Sequence, residues 1–146
     1  MRRILVTGAT GQVGSAVITA LRAFDGIIVR AGVRDVATET AKWSGDARVQ
    51  PVGFDFLDRA SQDAALADCD SLFLLRPPQL TGDFGDLIAR ARHHGVTHIV
   101  FLSVQGAERN SFIPSQDRTA AGVRRRAVHA AATRLLHAEL HQHTPR

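Results

Sequence analysis

The chain has 146 residues, of which 45% are hydrophobic and 22% charged, with one cysteine and a net charge of +4. That is one domain's worth of chain with enough apolar content for a core. No run approaches the ~20 apolar residues of a membrane span, and the lone thiol, Cys69, excludes a disulfide framework and a thiolate metal cluster.

The basic balance does not extend along the chain. Residues 1–114 carry twelve Lys/Arg against twelve Asp/Glu, whereas residues 115–146 carry six Arg against Asp117 and Glu139. A nucleic-acid surface is therefore not expected on the first part, and the tail alone would have to supply one. Thr7, Gly8 and Thr10 interrupt the first apolar run, so it does not read as a secretory signal, and a reducing cytoplasm fits. His93, His94 and His98 surround a helix end and a strand start, where solvated imidazoles are expected rather than a metal site.

Ile4-Leu5-Val6 is a short buried strand ended by Thr7-Gly8. From Gln12, apolar residues recur at helical spacing: Val13, Ala16, Val17, Ala20, Leu21 and Phe24. Gly26 ends that helix, and Ile27 to Val33 forms a second strand. Thr38 to Trp43 reads as a short helix and Val49 to Phe54 as a third strand. Asp58 to Leu66 reads as a helix without a strong apolar face. Ser71 to Leu75 is a fourth strand, stopped by Arg76-Pro77-Pro78. Asp83 to His94 is a helix with Phe84, Leu87, Ile88 and Ala91 on one side, closed by Gly95. Ile99 to Ser103 is a fifth strand. Strands alternating with helices predict an α/β fold, a doubly wound parallel sheet with helices on both faces. Right-handed crossovers give the strand order 3-2-1-4-5.

The stretch G-A-T-G-Q-V-G, residues 8–14, lies between a strand and an amphipathic helix, the setting in which spaced glycines bind a dinucleotide. Gly8 allows the tight turn, Gly11 lets backbone amides approach a diphosphate, and Gly14 lets helix and strand pack closely. Thr10, Gln12 and Val13 complete the turn, and the helix amino end offers amides and a positive dipole. At the end of the second strand an acidic residue would bind the ribose of NAD. Here Arg34 stands where a guanidinium would pair with a 2′-phosphate, which favours NADP(H) over NAD(H). Asp35 beside it keeps NAD(H) open, and an Arg34–Asp35 pair is the plain structural alternative. Asp55 and Phe56 after strand three are candidates to bracket the adenine, with Phe56 as a core residue the alternative. Leu75 and Arg76 after strand four are placed to cover the nicotinamide-side ribose, and Ser103 after strand five to face the nicotinamide.

With T-G-A-T-G-Q-V-G, A-G-V-R-D, F-D-F, F-L-L-R-P-P and F-L-S-V-Q-G-A in this order, and N-S-F-I-P at 110–114, residues 1–114 resemble the NmrA-like branch of the atypical short-chain dehydrogenases/reductases. The resemblance implies a Rossmann-like NAD(P)-binding domain and NADPH-dependent reduction of small quinone-like or carbonyl acceptors. It also implies an alternative, a non-catalytic sensor that binds a protein partner according to its NADP(H) state. The branch continues with a helix beginning H-x-K-x-E, whose lysine resembles the Lys of the Tyr/Lys pair in ordinary short-chain reductases. Ser115-Gln116-Asp117 stands there instead, Tyr is absent, and the one lysine, Lys42, lies far upstream. Weak or absent turnover is therefore expected of the chain as written. Neither substrate nor oligomeric state follows from the sequence.

Residues 115–146 form a basic, Ala/Arg/His-rich segment of helical propensity, unlike the family. Codons for residues 116–140 read one base later permit K-T-E-Q, then Y-T-L-L-R-P, then Y-F-M-Q-N-F, in family order. The segment is therefore expected to be a frameshifted reading of a longer gene. An unshifted source DNA whose offset codons fail to spell these segments refutes that.

Overall fold

Strand β1, Arg2–Val6, starts exposed and ends with Leu5 and Val6 fully buried. Successive strand residues point to opposite faces, so this pair seeds two separate cores. The computed structural model describes residues 1–77, 80 and 84–102. Around β1 lie β2 (Ile27–Val33), β3 (Val49–Gly53), β4 (Ser71–Leu75) and β5 (His98–Leu102), in the order β3-β2-β1-β4-β5. All four pairings are parallel: Ile4 stands opposite Val29 on one side of β1 and opposite Ser71 on the other. The expected strand order is the observed one.

Helix α1 (Gln12–Leu21) and the short α2 (Val36–Glu39) connect the first three strands. Beneath α1, Val6, Ala9, Ile18, Val29, Ala31, Val33 and Val49 form one core, with Trp43 and Val17 against it. Helices α3 (Arg59–Leu66) and α4 (Gly85–His93) connect β3 to β4 and β4 to β5. Leu5, Phe54, Leu66, Leu72, Leu74, Phe84, Leu87 and Ile88 lie in the second core. Each fully buried leucine there contributes about 1.5–3 kcal/mol by leaving water.

Several boundaries differ from the sequence expectation, each for a local reason. Periodicity puts Phe24 on the apolar face of the first helix, but α1 ends at Leu21 and Phe24 is 60% exposed. Ala23 and Phe24 donate to the carbonyls three residues back, and this tighter winding carries the ring off the stripe. The expected helix over Thr38–Trp43 starts earlier, as α2, and continues as a 3₁₀ turn over Thr40–Trp43. Asp35 starts it: its carboxylate accepts from the Thr38 amide at 3.2 Å and the Thr38 hydroxyl at 2.7 Å. These two donors hold the Asp35 carboxyl below its ordinary value. Asp58 caps α3 through the Ala60 amide rather than lying within the helix. That helix does present a face, Gln62, Ala65 and Leu66, although one member is polar.

Helix α4 closes as the glycine predicts. Gly95 has φ +87°, its amide reaches the Arg92 carbonyl, and the Val96 amide reaches that of Ala91. The chain therefore enters β5 at His98, one residue earlier than expected. Asp83, Ser103 and the whole segment 115–146 with its frameshift reading lie outside the described residues. Among the described residues, no helix is long and apolar enough to cross a membrane.

Candidate dinucleotide site

The strand order reverses between β1 and β4, and the carboxyl ends of strands at such a switch point are where open α/β sheets receive ligands. Thr7 sits at this point. Its side chain is fully buried, and its hydroxyl accepts from the Leu75 amide at 2.8 Å while lying 3.2 Å and 3.3 Å from the Leu75 and Phe73 carbonyls. The Thr7 amide adds a bond to Phe73 O at 3.0 Å. Thr7 thus ties the two strands at the switch point. From sequence Thr7 marks only the end of a strand; its one signal is a threonine between an apolar run and a glycine turn.

The turn that follows is built from backbone. Gly8 has φ +62°, a conformation that L side chains rarely adopt. A Cβ there would lie 2.9 Å from Leu75 Cδ2. Gly14 is more restricted: a Cβ would stand 2.1 Å from the Gly8 carbonyl oxygen, a backbone atom that cannot yield alone. Helix α1 therefore packs on the turn only because residue 14 has no side chain. Gly11 is the N-cap and makes no side-chain cap bond, and the first turn of α1 contains no acidic residue. Thr10, Gly11, Gln12 and Val13 are all exposed around this end. An uncapped helix amino end rimmed by small or exposed residues fits an anionic diphosphate in charge and in space.

Arg34 follows β2 on the same edge and is exposed. Among the described residues no ion pair joins it to Asp35, whose carboxylate is engaged by Thr38. After β3, the Asp55 carboxylate folds onto its own turn, accepting from the Leu57 amide at 2.8 Å. The Asp55–Phe56 corner is pinned from α3. Gln62, only 4% exposed, donates to the Asp55 and Phe56 carbonyls at 3.0 and 2.9 Å, and Ser61 Oγ accepts from the Asp55 amide. Nothing in the sequence marks Gln62, because helical periodicity treats a glutamine as a solvent residue. The Phe56 ring is wedged edge-on between Phe54 at 5.0 Å and Phe84 at 5.6 Å, in the core placement that stood as its alternative.

After β4, Leu75 lies against Gly8, as the clash distance shows, whereas the Arg76 side chain turns toward α4. Its Nε and Nη2 donate to the Leu80 carbonyl at 2.9 and 2.7 Å, and its guanidinium lies 5.0 Å from the Phe84 ring centre. Ser103 lies outside the described residues, one position beyond β5.

Away from the glycine turn, a shallow concavity between α3 and α4 is lined by Asp63, Ala89, Arg90, His93 and His94. His94 Nε2 lies 2.9 Å from Asp63 Oδ1 and Arg90 2.6 Å from its other oxygen. The His94 contact is the main reason the Asp63 carboxyl sits below its ordinary value. Among the described residues no three His, Cys, Asp or Glu are placed to hold a metal ion.

Known proteins share this arrangement. Over 105 residues the chain is 38% identical to (4-alkanoyl-5-oxo-2,5-dihydrofuran-3-yl)methyl phosphate reductase of Streptomyces griseus, which is 72% of this chain and 36% of that protein. The structure of Citrobacter triphenylmethane reductase complexed with NADP(H) superposes with a TM-score of 0.60 and 27% identity, over 76% of this chain and 40% of that one. The Escherichia coli NADPH-dependent quinone oxidoreductase complexed with NADPH gives 0.61 and 28%, over 72% and 38%. The chain thus spans well under half the length of these relatives. A model of the NmrA-like family matches residues 1–119. Sheet order, glycine turn and sequence together place the chain in the NmrA-like family of NAD(P)-binding proteins.

Proposed function

We propose that residues 1–114 are the cofactor half of an NADPH-dependent reductase that prefers NADP(H) to NAD(H) and works in the cytoplasm. The observation that carries this is the amino end of α1, where Gly14 cannot bear a Cβ and Gly11 leaves the helix uncapped. In this reading Gly8, Thr10, Gly11, Gln12, Val13 and Gly14 hold the diphosphate through backbone amides. Arg34, exposed just after β2 and without an ion pair among the described residues, takes the 2′-phosphate. Asp55 and Phe56 border the adenine side, Leu75 and the backbone at Arg76 border the second ribose, and Ser103 stands beside the nicotinamide. The bound dinucleotide supplies the hydride.

The acceptor class is a small conjugated carbonyl or quinone-like compound, in keeping with the three reductases to which the chain is similar. Turnover by the 146 residues alone is weak. There is no Tyr, and Lys42 is ion-paired with Glu39 on the turn after α2, on the other side of the sheet from β4. The same observation favours a second reading, a sensor that grips a protein partner differently with NADP⁺ and with NADPH.

Calorimetric titration with NADPH and NADH tests the main reading. Wild type binds NADPH about tenfold or more tightly than NADH, since one charge-assisted pair is worth roughly 1.5–3 kcal/mol, and Arg34→Ala closes the gap. Equal affinities in wild type remove the 2′-phosphate assignment, and binding of neither removes the site.

A further inference from the structure

Gln62 is a polar side chain buried on a helix whose other buried residues are apolar. Helix α3 buries Gln62, Ala65 and Leu66, and Gln62 is 4% exposed. A buried amide is costly unless its donors are met. Gln62 meets them outside its own helix: Nε2 donates to the Asp55 and Phe56 carbonyls at 3.0 and 2.9 Å. Its neighbour Ser61 accepts from the Asp55 amide at 3.0 Å. The Phe56 ring, set edge-on between Phe54 and Phe84, holds the same corner from the core. Helix α3 thus fixes three backbone groups just after β3. The other side of the corner is set by the same bonds. No peptide among the described residues is cis, so each N–H points opposite to the carbonyl of its own peptide. With the Asp55 carbonyl drawn to α3, the Phe56 N–H turns away from α3. Beside it, the Asp55 carboxylate is oriented by Oδ1, which accepts from the Leu57 amide at 2.8 Å. The corner therefore offers an N–H donor and a carboxylate acceptor side by side. They stand at the carboxyl end of β3, the same end of the parallel sheet as the glycine turn after β1.

We infer that Gln62, with Ser61 beside it, is a positioning residue for purine selectivity: it holds the Asp55–Phe56 corner so that the corner accepts from a 6-amino group and donates to the adjacent ring nitrogen. Adenine has that pattern. Hypoxanthine has the reverse, an oxygen acceptor beside an N–H donor, and leaves the corner's polar groups unpaired. This deepens the dinucleotide reading and rests on it. Neither Gln62 nor Ser61 needs to reach the base, because both act through the backbone they pin, and the corner is oriented before the base arrives.

The test is calorimetry on the full chain with two probes, NADPH and its hypoxanthine analogue, which differ only in the purine. Wild type binds NADPH about tenfold or more tightly than the analogue, because the mismatched polar groups stay unpaired. Gln62→Met, unbranched and of similar length, fills the buried place without donating, and it brings that ratio down to about threefold or less. A merely structural Gln62 would weaken both dinucleotides alike, and an unchanged ratio in this variant overturns the inference. Should the methionine variant fail to fold, Ser61→Ala releases the Asp55 amide alone: a lower ratio supports the inference and an unchanged one overturns it. Equal affinities of wild type for the two probes overturn it while the cofactor site stands. Binding of neither probe to wild type removes the cofactor reading and this inference with it.

Discussion

The two faces of the sheet solve opposite problems. On the α1 face the functional edge is made of backbone: Gly8, Gly11 and Gly14 carry no side chains, and one added carbon at residue 14 would collide with Gly8 O at 2.1 Å. On the α3/α4 face the corresponding edge is made of side chains, with three phenylalanine rings, Arg76 and Gln62 filling the space. A diphosphate needs amides and clearance, which only glycines give. A packed corner needs shape and satisfied polar groups, which side chains give. Thr7 joins the two, because it ends β1 on one side and grips β4 on the other.

That contrast can be broken first at Gly14. Gly14→Ala should abolish NADPH binding in calorimetry and lower stability by roughly 3 kcal/mol or more, as overpacking against backbone demands. An alanine variant that binds normally would show that the turn is not backbone-limited. Thr7→Val, cutting the tie between β1 and β4, leaves the part-buried Leu75 amide without its acceptor. A loss of about 1–3 kcal/mol in urea unfolding is expected, together with weaker NADPH binding. Unchanged stability would mean that the strands hold together without it.

The smallest effect sharpens the contrast from the outer side of α3 and α4. The Asp63 carboxyl is held below its ordinary value of 3.8 by His94 first and then by Arg90. Its contribution to stability is complete above the unfolded value and disappears as pH falls through the lower folded one. Wild type should therefore lose more stability than Asp63→Asn between about pH 5 and pH 2 in denaturant midpoints. NADPH affinity at neutral pH should stay the same in both. Parallel acid profiles would remove the role given to this cluster.

Much of this was legible in the residues. The apolar runs at β1 to β5 and the punctuation by Gly26, Gly95 and Pro77 define the alternation, and parallel crossovers follow one hand. The glycine spacing was legible for the same reason, because backbone approach leaves a signature that depends on no distant partner. Phe24 misled because periodicity does not register that a helix has already tightened into a turn. Asp35 reads from sequence as a partner for Arg34 or for a ribose and Asp58 as the first helical residue; their capping role is decided by which amide comes within hydrogen-bond reach.

What the sequence by itself determined is therefore the local and periodic part: five strands, their order, the glycine turn and the family to which residues 1–114 are similar. Only the tertiary structure decided the rest. It brought Thr7 to Leu75 across 68 residues, put Gln62 under the Asp55–Phe56 corner and turned Arg76 onto Leu80 and Phe84. The physical reason is that a hydrogen bond or a ring contact is satisfied by whatever partner folding brings near, and a side chain's residue type does not name that partner.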